Sequence, residues 1–156
     1  MEKLIKFSLR EQLDKLPVVD YSEVKTANRA VVCDTNFLFT TFEFKLDVIA
    51  EFKRLVGSTF NLYIFEGTCH ELLKIETQTT KNKRFLPLIA KMLQLYNFSI
   101  ISSEQDYVDK DILELVQQPV LVATNDKPLR QYLIKKGVKV VYLRQKNHLE
   151  ISSESF

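Results

Sequence analysis

Five short apolar runs, separated by longer stretches of helical period, constrain this chain more than any other feature of it. Ala30 to Cys33, Asn61 to Phe65, Phe98 to Ile101, Val120 to Ala123 and Val138 to Leu143 are rich in β-branched and aromatic residues and show no regular polar alternation. A strand with one wet face alternates between polar and apolar positions, whereas a strand buried on both faces does not. The segments at about 45–56, 69–78, 86–97, 105–118 and 127–136 read as helices. Buried strands alternating with helices predict an α/β fold whose parallel sheet is covered on both sides. Gly57 and Gly137 stand where helix C-caps would end two of those helices, and Pro128 suits the first turn of another. Pro119 marks the approach to the fourth strand.

At 156 residues the chain has the length of a single domain. Its 22 basic and 20 acidic side chains give a net charge of +2, and with 46% hydrophobic residues this excludes a disordered composition. The three glycines, Gly57, Gly67 and Gly137, are too far apart to build a glycine-rich phosphate loop of the Walker or dinucleotide-binding kind. Cys33 and Cys69 are expected to be free thiols of a reducing cytoplasmic compartment. Residues Met1 to Arg10 interleave four charges with their apolar positions, unlike a secretory leader, and no run reaches the roughly 20 apolar residues of a membrane span. Ahead of the first strand, Ile5, Leu9, Leu13 and Leu16 form one stripe of an amphipathic helix that Pro17 would stop. That helix is expected on the flank of the sheet, with a dimer or partner surface as the alternative.

Acidic residues fall at the ends of the apolar runs. Asp34 directly follows Ala-Val-Val-Cys, and Asp126 closes Val-Leu-Val-Ala-Thr-Asn-Asp. In a doubly wound sheet, ligands bind beyond the carboxyl ends of the strands where strand order reverses. If the first and fourth runs are neighbours there, Asp34 and Asp126 share one crevice. Glu71, in the opening turn of the helix after the second run, and Asp109, early in the helix before the fourth, could reach it too. Each acid also has a purely structural reading. Thr68-x-x-Glu71 is a capping-box pattern, Asp126 could cap the helix that follows it, and Asp109 is of a type favoured at helix starts. Several carboxylates gathered without a cation repel one another, and an all-oxygen donor set selects Mg²⁺ or Mn²⁺ over zinc. Such ions support phosphodiester hydrolysis. His70-Glu71-Leu72-Leu73-Lys74 misses the zinc-protease motif, because Lys74 stands where a second histidine is needed.

Val-Val-Cys-Asp-Thr-Asn-Phe-Leu-Phe (31–39), Glu71, Val-Asp-Lys-Asp-Ile-Leu (108–113) and Val-Ala-Thr-Asn-Asp-Lys-Pro-Leu-Arg (122–130) together resemble a PIN-domain ribonuclease. Gly-Val-Lys-Val-Val-Tyr-Leu-Arg (137–144) is similar to the archaeal and ribosome-processing branch, which includes relatives of VapC-type toxins. The resemblance implies a three-layer α/β/α sandwich with a central parallel sheet of four to five strands. It divides the chain into a helical extension packed on the domain (1–28), a nuclease domain (29–146) and a C-terminal tail (147–156). It further implies a Mg²⁺- or Mn²⁺-dependent endoribonuclease whose acidic quartet maps to Asp34, Glu71, Asp109 and Asp126, with Asn36 and Thr124 in support. Asp111 is the alternative third acid, because the chain reads Asp-Lys-Asp there. RNA is the implied partner, and an antitoxin protein and a homodimer stay open.

From Lys127 to Leu149 there are seven basic residues and no acid, and Thr79 to Lys91 adds four more bases. Lys127, Arg130, Arg84 and Arg144 are the residues expected to meet RNA phosphates. Two other classes compete with the nuclease. A haloacid-dehalogenase-type phosphatase needs Asp-x-Asp where this chain has Asp34-Thr35-Asn36. The other is a non-catalytic RNA-binding or assembly module on the same fold.

Overall fold

The computed structural model describes residues 7–104 and 107–152. Among them, seven strands form one sheet in the order β1-β4-β3-β2-β5-β6-β7: β1 (Val18–Val19), β2 (Ala30–Cys33), β3 (Asn61–Phe65), β4 (Ser99–Ile101), β5 (Leu121–Ala123), β6 (Val140–Arg144) and β7 (His148–Ile151). All neighbours run parallel except β6 and β7, which form an antiparallel hairpin. The five apolar runs of the sequence are β2 to β6. The expected four to five strands become seven because β1, two residues long, and β7 extend the two edges. The stretch 147–156, expected as a tail, supplies β7, and its residues 153–156 lie outside the described residues.

Among the described residues, eight α-helices cover the sheet: α1 (Leu9–Asp14), α2 (Tyr21–Val24), α3 (Thr35–Glu43), α4 (Val48–Val56), α5 (Glu66–Glu76), α6 (Leu86–Leu95), α7 (Val108–Leu115) and α8 (Lys127–Lys135). Strand side chains divide by parity, as the two-residue period of a strand requires. Val31, Cys33, Leu62 and Ile64 pack into one core with Leu9, Phe37, Phe52, Leu72 and Ile89, beneath α1, α3, α4, α5 and α6. Ala30, Val32, Tyr63 and Phe65 join Val24, Ile112, Leu129 and Leu133 in a second core beneath α2, α7 and α8. With both faces covered, no strand position needs to be polar, which explains the unbroken apolar runs. Each fully buried Phe or Leu in these layers contributes roughly 1.5–3 kcal/mol.

Three helices differ from expectation. Helix α3 follows β2 directly, where no helix was read, because Thr35-Asn36-Phe37-Leu38-Phe39-Thr40-Thr41 is β-branched and aromatic. Such residues favour strands in isolation, but burial of six of them in the helix overrides that weak preference. Helix α5 starts at Glu66, so Glu71 lies in its second turn rather than its first. Thr68 is buried inside α5 and Phe65 is the N-cap, so the capping-box reading of Thr68 and Glu71 does not hold. The N-terminal helix begins at Leu9 with Ser8 as its cap. Leu9, Leu13 and Leu16 are buried in the larger core, while Ile5 lies outside the described residues, as do 105 and 106 of the helix expected at 105–118. Both cysteines are buried and free.

Candidate active site

β2 is the pivot of the topology. The chain winds outward from β2 through β3 and β4 on one side, then crosses back to place β5 against the other side of β2. Strand order therefore reverses between β2 and β5, and the crevice of a doubly wound sheet opens at their carboxyl ends. Asp34 and Thr124 are the first residues past those ends. The Asp34 amide donates to the Ala123 carbonyl at 2.9 Å, extending the ladder by one step and locking the two ends together.

Asp34 is 4% exposed. Its Oδ1 accepts from the Thr35 amide at 2.8 Å, capping α3, and its Oδ2 accepts from the Thr124 hydroxyl at 2.8 Å. Thr124 Oγ1 in turn accepts from the Asp126 amide at 3.1 Å, so one hydroxyl ties the first acid to the backbone of the last. Burial, above all, pushes the Asp34 carboxyl up to about 6, and the charges of Asp109 and Glu71 add to the shift against the two hydrogen bonds. Glu71 is raised by burial and then by Asp109, against a hydrogen bond from Thr35. Asp109, in the first turn of α7, is raised by partial burial and then by Asp126. Asp126 caps α8, its Oδ1 accepting from the Leu129 amide at 3.0 Å.

Asp34, Glu71 and Asp109, from three distant segments, thus sense one another, and Asp109 senses Asp126 of a fourth. None of them forms an ion pair with a lysine or arginine among the described residues. Nor do any three of His, Cys, Asp and Glu, among the described residues, stand as a finished metal cage. The group is a set of mutually repelling carboxylates on the rims of separate elements. Asp111 faces elsewhere: it is 1% exposed, accepts from Ser103 Oγ at 2.6 Å, and senses Glu66 and Glu114. Of the two alternatives for the third position, Asp109 is the one brought to Asp34.

The remaining sequence-predicted residues scatter. Asn36 is exposed on α3, while its neighbour Thr35 is the buried one and hydrogen-bonds Thr68 hydroxyl to hydroxyl at 2.9 Å. Lys127 is exposed on the first turn of α8, beside Asp126. The Arg130 guanidinium lies over the Tyr142 ring, 4.1 Å from its centroid, which holds its charge against an aromatic face. Arg84 lies 4.7 Å over Phe85 in a short 3₁₀ turn (Lys81–Phe85). Arg144 ends β6 and sits 3.8 Å from Glu150.

Two residues just past the carboxyl ends of strands escaped the sequence reading. Glu66 directly follows β3, and its Oε1 accepts from the Ser103 amide at 3.2 Å. The strand-end rule that singled out Asp34 and Asp126 applies to it equally. Asn125 bridges two elements: Nδ2 donates to Thr40 Oγ1 on α3 at 2.7 Å, and Oδ1 accepts from the Leu143 amide of β6 at 2.8 Å. Asn125→Ala would leave the Leu143 amide without a partner and take one donor from the Thr40 hydroxyl, which still donates to the Asn36 carbonyl, at a cost of about 2 kcal/mol. Urea unfolding should show the loss, and Asn125→Asp, which keeps the acceptor for Leu143, should lose less.

Residues 31–146 match the family described as PIN like domain. The chain is 30% identical over 124 residues to ribonuclease VapC4 of Methanocaldococcus jannaschii, covering 78% of this chain and 95% of that protein. It is 27% identical over 118 residues to ribonuclease VapC9 of Archaeoglobus fulgidus, covering 75% of this chain and 84% of that one. Among solved structures, that of the PIN domain endonuclease Utp24 superposes with a TM-score of 0.66 at 22% identity, over 80% of this chain and 92% of the other, which supports the fold. With a match that spans β2 to β6 and contains all four converging acids, the chain belongs to the PIN-like domain family.

Proposed function

We propose that this chain is a divalent-metal-dependent endoribonuclease that hydrolyses RNA at the carboxyl ends of β2 and β5. The observation that carries the proposal is the electrostatic coupling that runs among Asp34, Glu71 and Asp109 and on to Asp126, with no lysine or arginine paired to any of the four among the described residues. A buried carboxylate such as Asp34, with others crowded towards it, is costly unless something positive joins it. The two similar archaeal proteins named as ribonucleases support RNA as the substrate. The donor set is all oxygen, which suits Mg²⁺ or Mn²⁺. When bound, such an ion supplies Lewis-acid polarisation of a phosphoryl oxygen and acidifies water.

Each side chain then has a task. Asp34 and Asp126 would hold one cation, Asp126 through the oxygen that does not accept from the Leu129 amide. Glu71 and Asp109 would hold a second ion or orient the attacking water. Thr124 fixes the Asp34 carboxylate through its hydroxyl and leaves little rotational freedom to the acid. Lys127, exposed beside Asp126, would take a non-bridging phosphate oxygen, a role Arg130 is less free to play while stacked on Tyr142. Asn36 would act from the margin, Asp111 has no part in this reading because it faces Ser103, and Arg84 and Arg144 would meet flanking phosphates. RNA is the primary partner in this reading, and an antitoxin protein or a second copy of the chain are the protein partners it admits. No helix among the described residues is long and apolar enough to cross a membrane.

The test is cleavage of a labelled single-stranded RNA blocked at both ends, with purified full-length protein. Internal cuts are expected with Mn²⁺ or Mg²⁺, lost with EDTA and restored by added metal. RNA binding without any cut under these conditions would mark the chain as a binding module and remove the nuclease assignment.

A further inference from the structure

At the opposite end of the sheet, a hollow of about 840 Å³ opens beside the amino ends of β2, β5 and β6. Lys25, Arg29 and Lys139 line it together with Asn28 and Gln118, and no carboxylate among the described residues does. None of these three cations is in an ion pair among the described residues. The hollow is built rather than incidental. Arg29 adopts a left-handed backbone with φ of 51°, uncommon for a residue with a side chain, and its Nη1 donates to the Val56 carbonyl at 2.8 Å. The guanidinium occupies the space where any side chain at Gly57 would begin, since a Cβ there would stand 1.9 Å from Nη1, and Gly57 itself has φ of 116°. Two constrained residues therefore present one fixed guanidinium, with two lysines nearby. The Asn28 and Arg29 carbonyls are tied to Asn61, which stiffens the platform.

Helix α8 links this end to the acidic crevice. It starts at the crevice with Lys127 and runs back along the sheet for about 14 Å, at 1.5 Å per residue. Lys127, Gln131 and Lys135, four apart, share one exposed face, beside Tyr132, which is 62% exposed. Lys136 is not part of this line, because its ammonium is spent on the Leu113 and Val116 carbonyls. Lys139, four residues past the end of α8, lines the hollow. The lining holds no aromatic side chain to stack a nucleobase, so the hollow is suited to backbone phosphate rather than to a base.

We propose that the hollow framed by Lys25, Arg29 and Lys139 is a second phosphate-binding site, which takes a backbone phosphodiester of the same single-stranded RNA whose scissile bond lies at the crevice, the strand passing along α8. The proposal rests on RNA being the substrate, yet its binding half depends only on the hollow and the α8 face.

The test is fluorescence anisotropy of the full-length protein in EDTA with single-stranded RNAs of about 16 and about 4 nucleotides, over a series of KCl concentrations. The variant Lys25→Ala/Lys139→Ala removes two exposed ammonium groups without touching the crevice, and Lys25→Arg/Lys139→Arg serves as the charge-conserving control. Each lost phosphate contact lowers the log–log salt slope by about 0.7, so the alanine variant, which gives up the one phosphate held in the hollow, should lose about 0.7 in slope on the long RNA. It should lose nothing on the short one, and the arginine control should retain the wild-type slope. An unchanged slope on the long RNA overturns the proposal. So does saturable binding of inorganic phosphate that the variant loses while its long-RNA slope stays intact, which would make the hollow a small-anion site. Failure of wild-type protein to cut RNA alongside the length-dependent slope would sink the nuclease reading and leave this site standing. Cutting with no slope change would do the reverse.

Discussion

Asp34→Asn is expected to reduce metal-dependent RNA cleavage by about a thousandfold or more while raising the melting temperature of the metal-free protein. The loss follows from removing the most buried acid of the crevice. Several kcal/mol of charge stabilisation depend on a metal ligand, and each 1.36 kcal/mol is tenfold in rate. The gain follows from the cost of that same charge: burial and the neighbouring Asp109 and Glu71 lift the Asp34 carboxyl to about 6. Asparagine keeps an acceptor for the Thr35 amide and removes the desolvated charge. A benefit of about 2 kcal/mol is expected near neutral pH, or roughly 4–8 °C for a domain of this size. Scanning calorimetry in EDTA, beside the cleavage assay, reads both. A lower melting temperature in EDTA would show that the Asp34 charge supports the fold rather than straining it, and would remove the physical basis for a cation there.

Metal and acid should stabilise the wild-type protein by the same route. In the native state Asp34 titrates at about 6, whereas in an unfolded chain an aspartate titrates near its ordinary value of about 3.9. Between those values the folded protein holds a proton that the unfolded chain has released, so stability rises as pH falls through 6 and levels off below about 4. Asp34 alone contributes about 1 kcal/mol by pH 5. Glu71, Asp109 and Asp111 are raised as well and act in the same direction. Glu51 and Glu150 are lowered and act oppositely as pH falls through the carboxylate range, but they lie in surface ion pairs with small effects. At neutral pH, Mn²⁺ at a hundred times its dissociation constant should add about 2.7 kcal/mol, a shift of roughly 5–10 °C, which Asp34→Asn should erase. Thermal scans at pH 5 and 7.5, with and without Mn²⁺, check this. A protein indifferent to both acid and Mn²⁺ would have no strained acidic crevice.

The strands of this chain were written in local sequence, because a parallel sheet covered on both faces tolerates only apolar residues in its middle. The runs from Ala30 to Leu143 therefore named β2 to β6, and the acids next to two of them named the crevice. The edges were not legible. Val18–Val19 is too short to carry a period, and His148–Ile151 carries two polar residues, so both join the sheet only because a neighbour offers free backbone groups. Helix α3 was hidden for the opposite reason, since its residues prefer strands until two layers close over them.

At the site, residue types told which groups could act but not which would meet. Asp109 and Asp111 are two apart on one helix and so point in different directions, about 200° around the axis. Only the packing of α7 turns Asp109 toward Asp34 and leaves Asp111 against Ser103. Glu71 lies in the second turn of α5 rather than its opening turn, because α5 begins at Glu66, three residues ahead of the start that a cap at Thr68 would set. Asn125 and Arg29 act through partners 18 to 85 residues away in the chain, at Leu143, Thr40 and Val56. Contacts of that span leave no mark on neighbouring residues, so they exist only once the chain has folded.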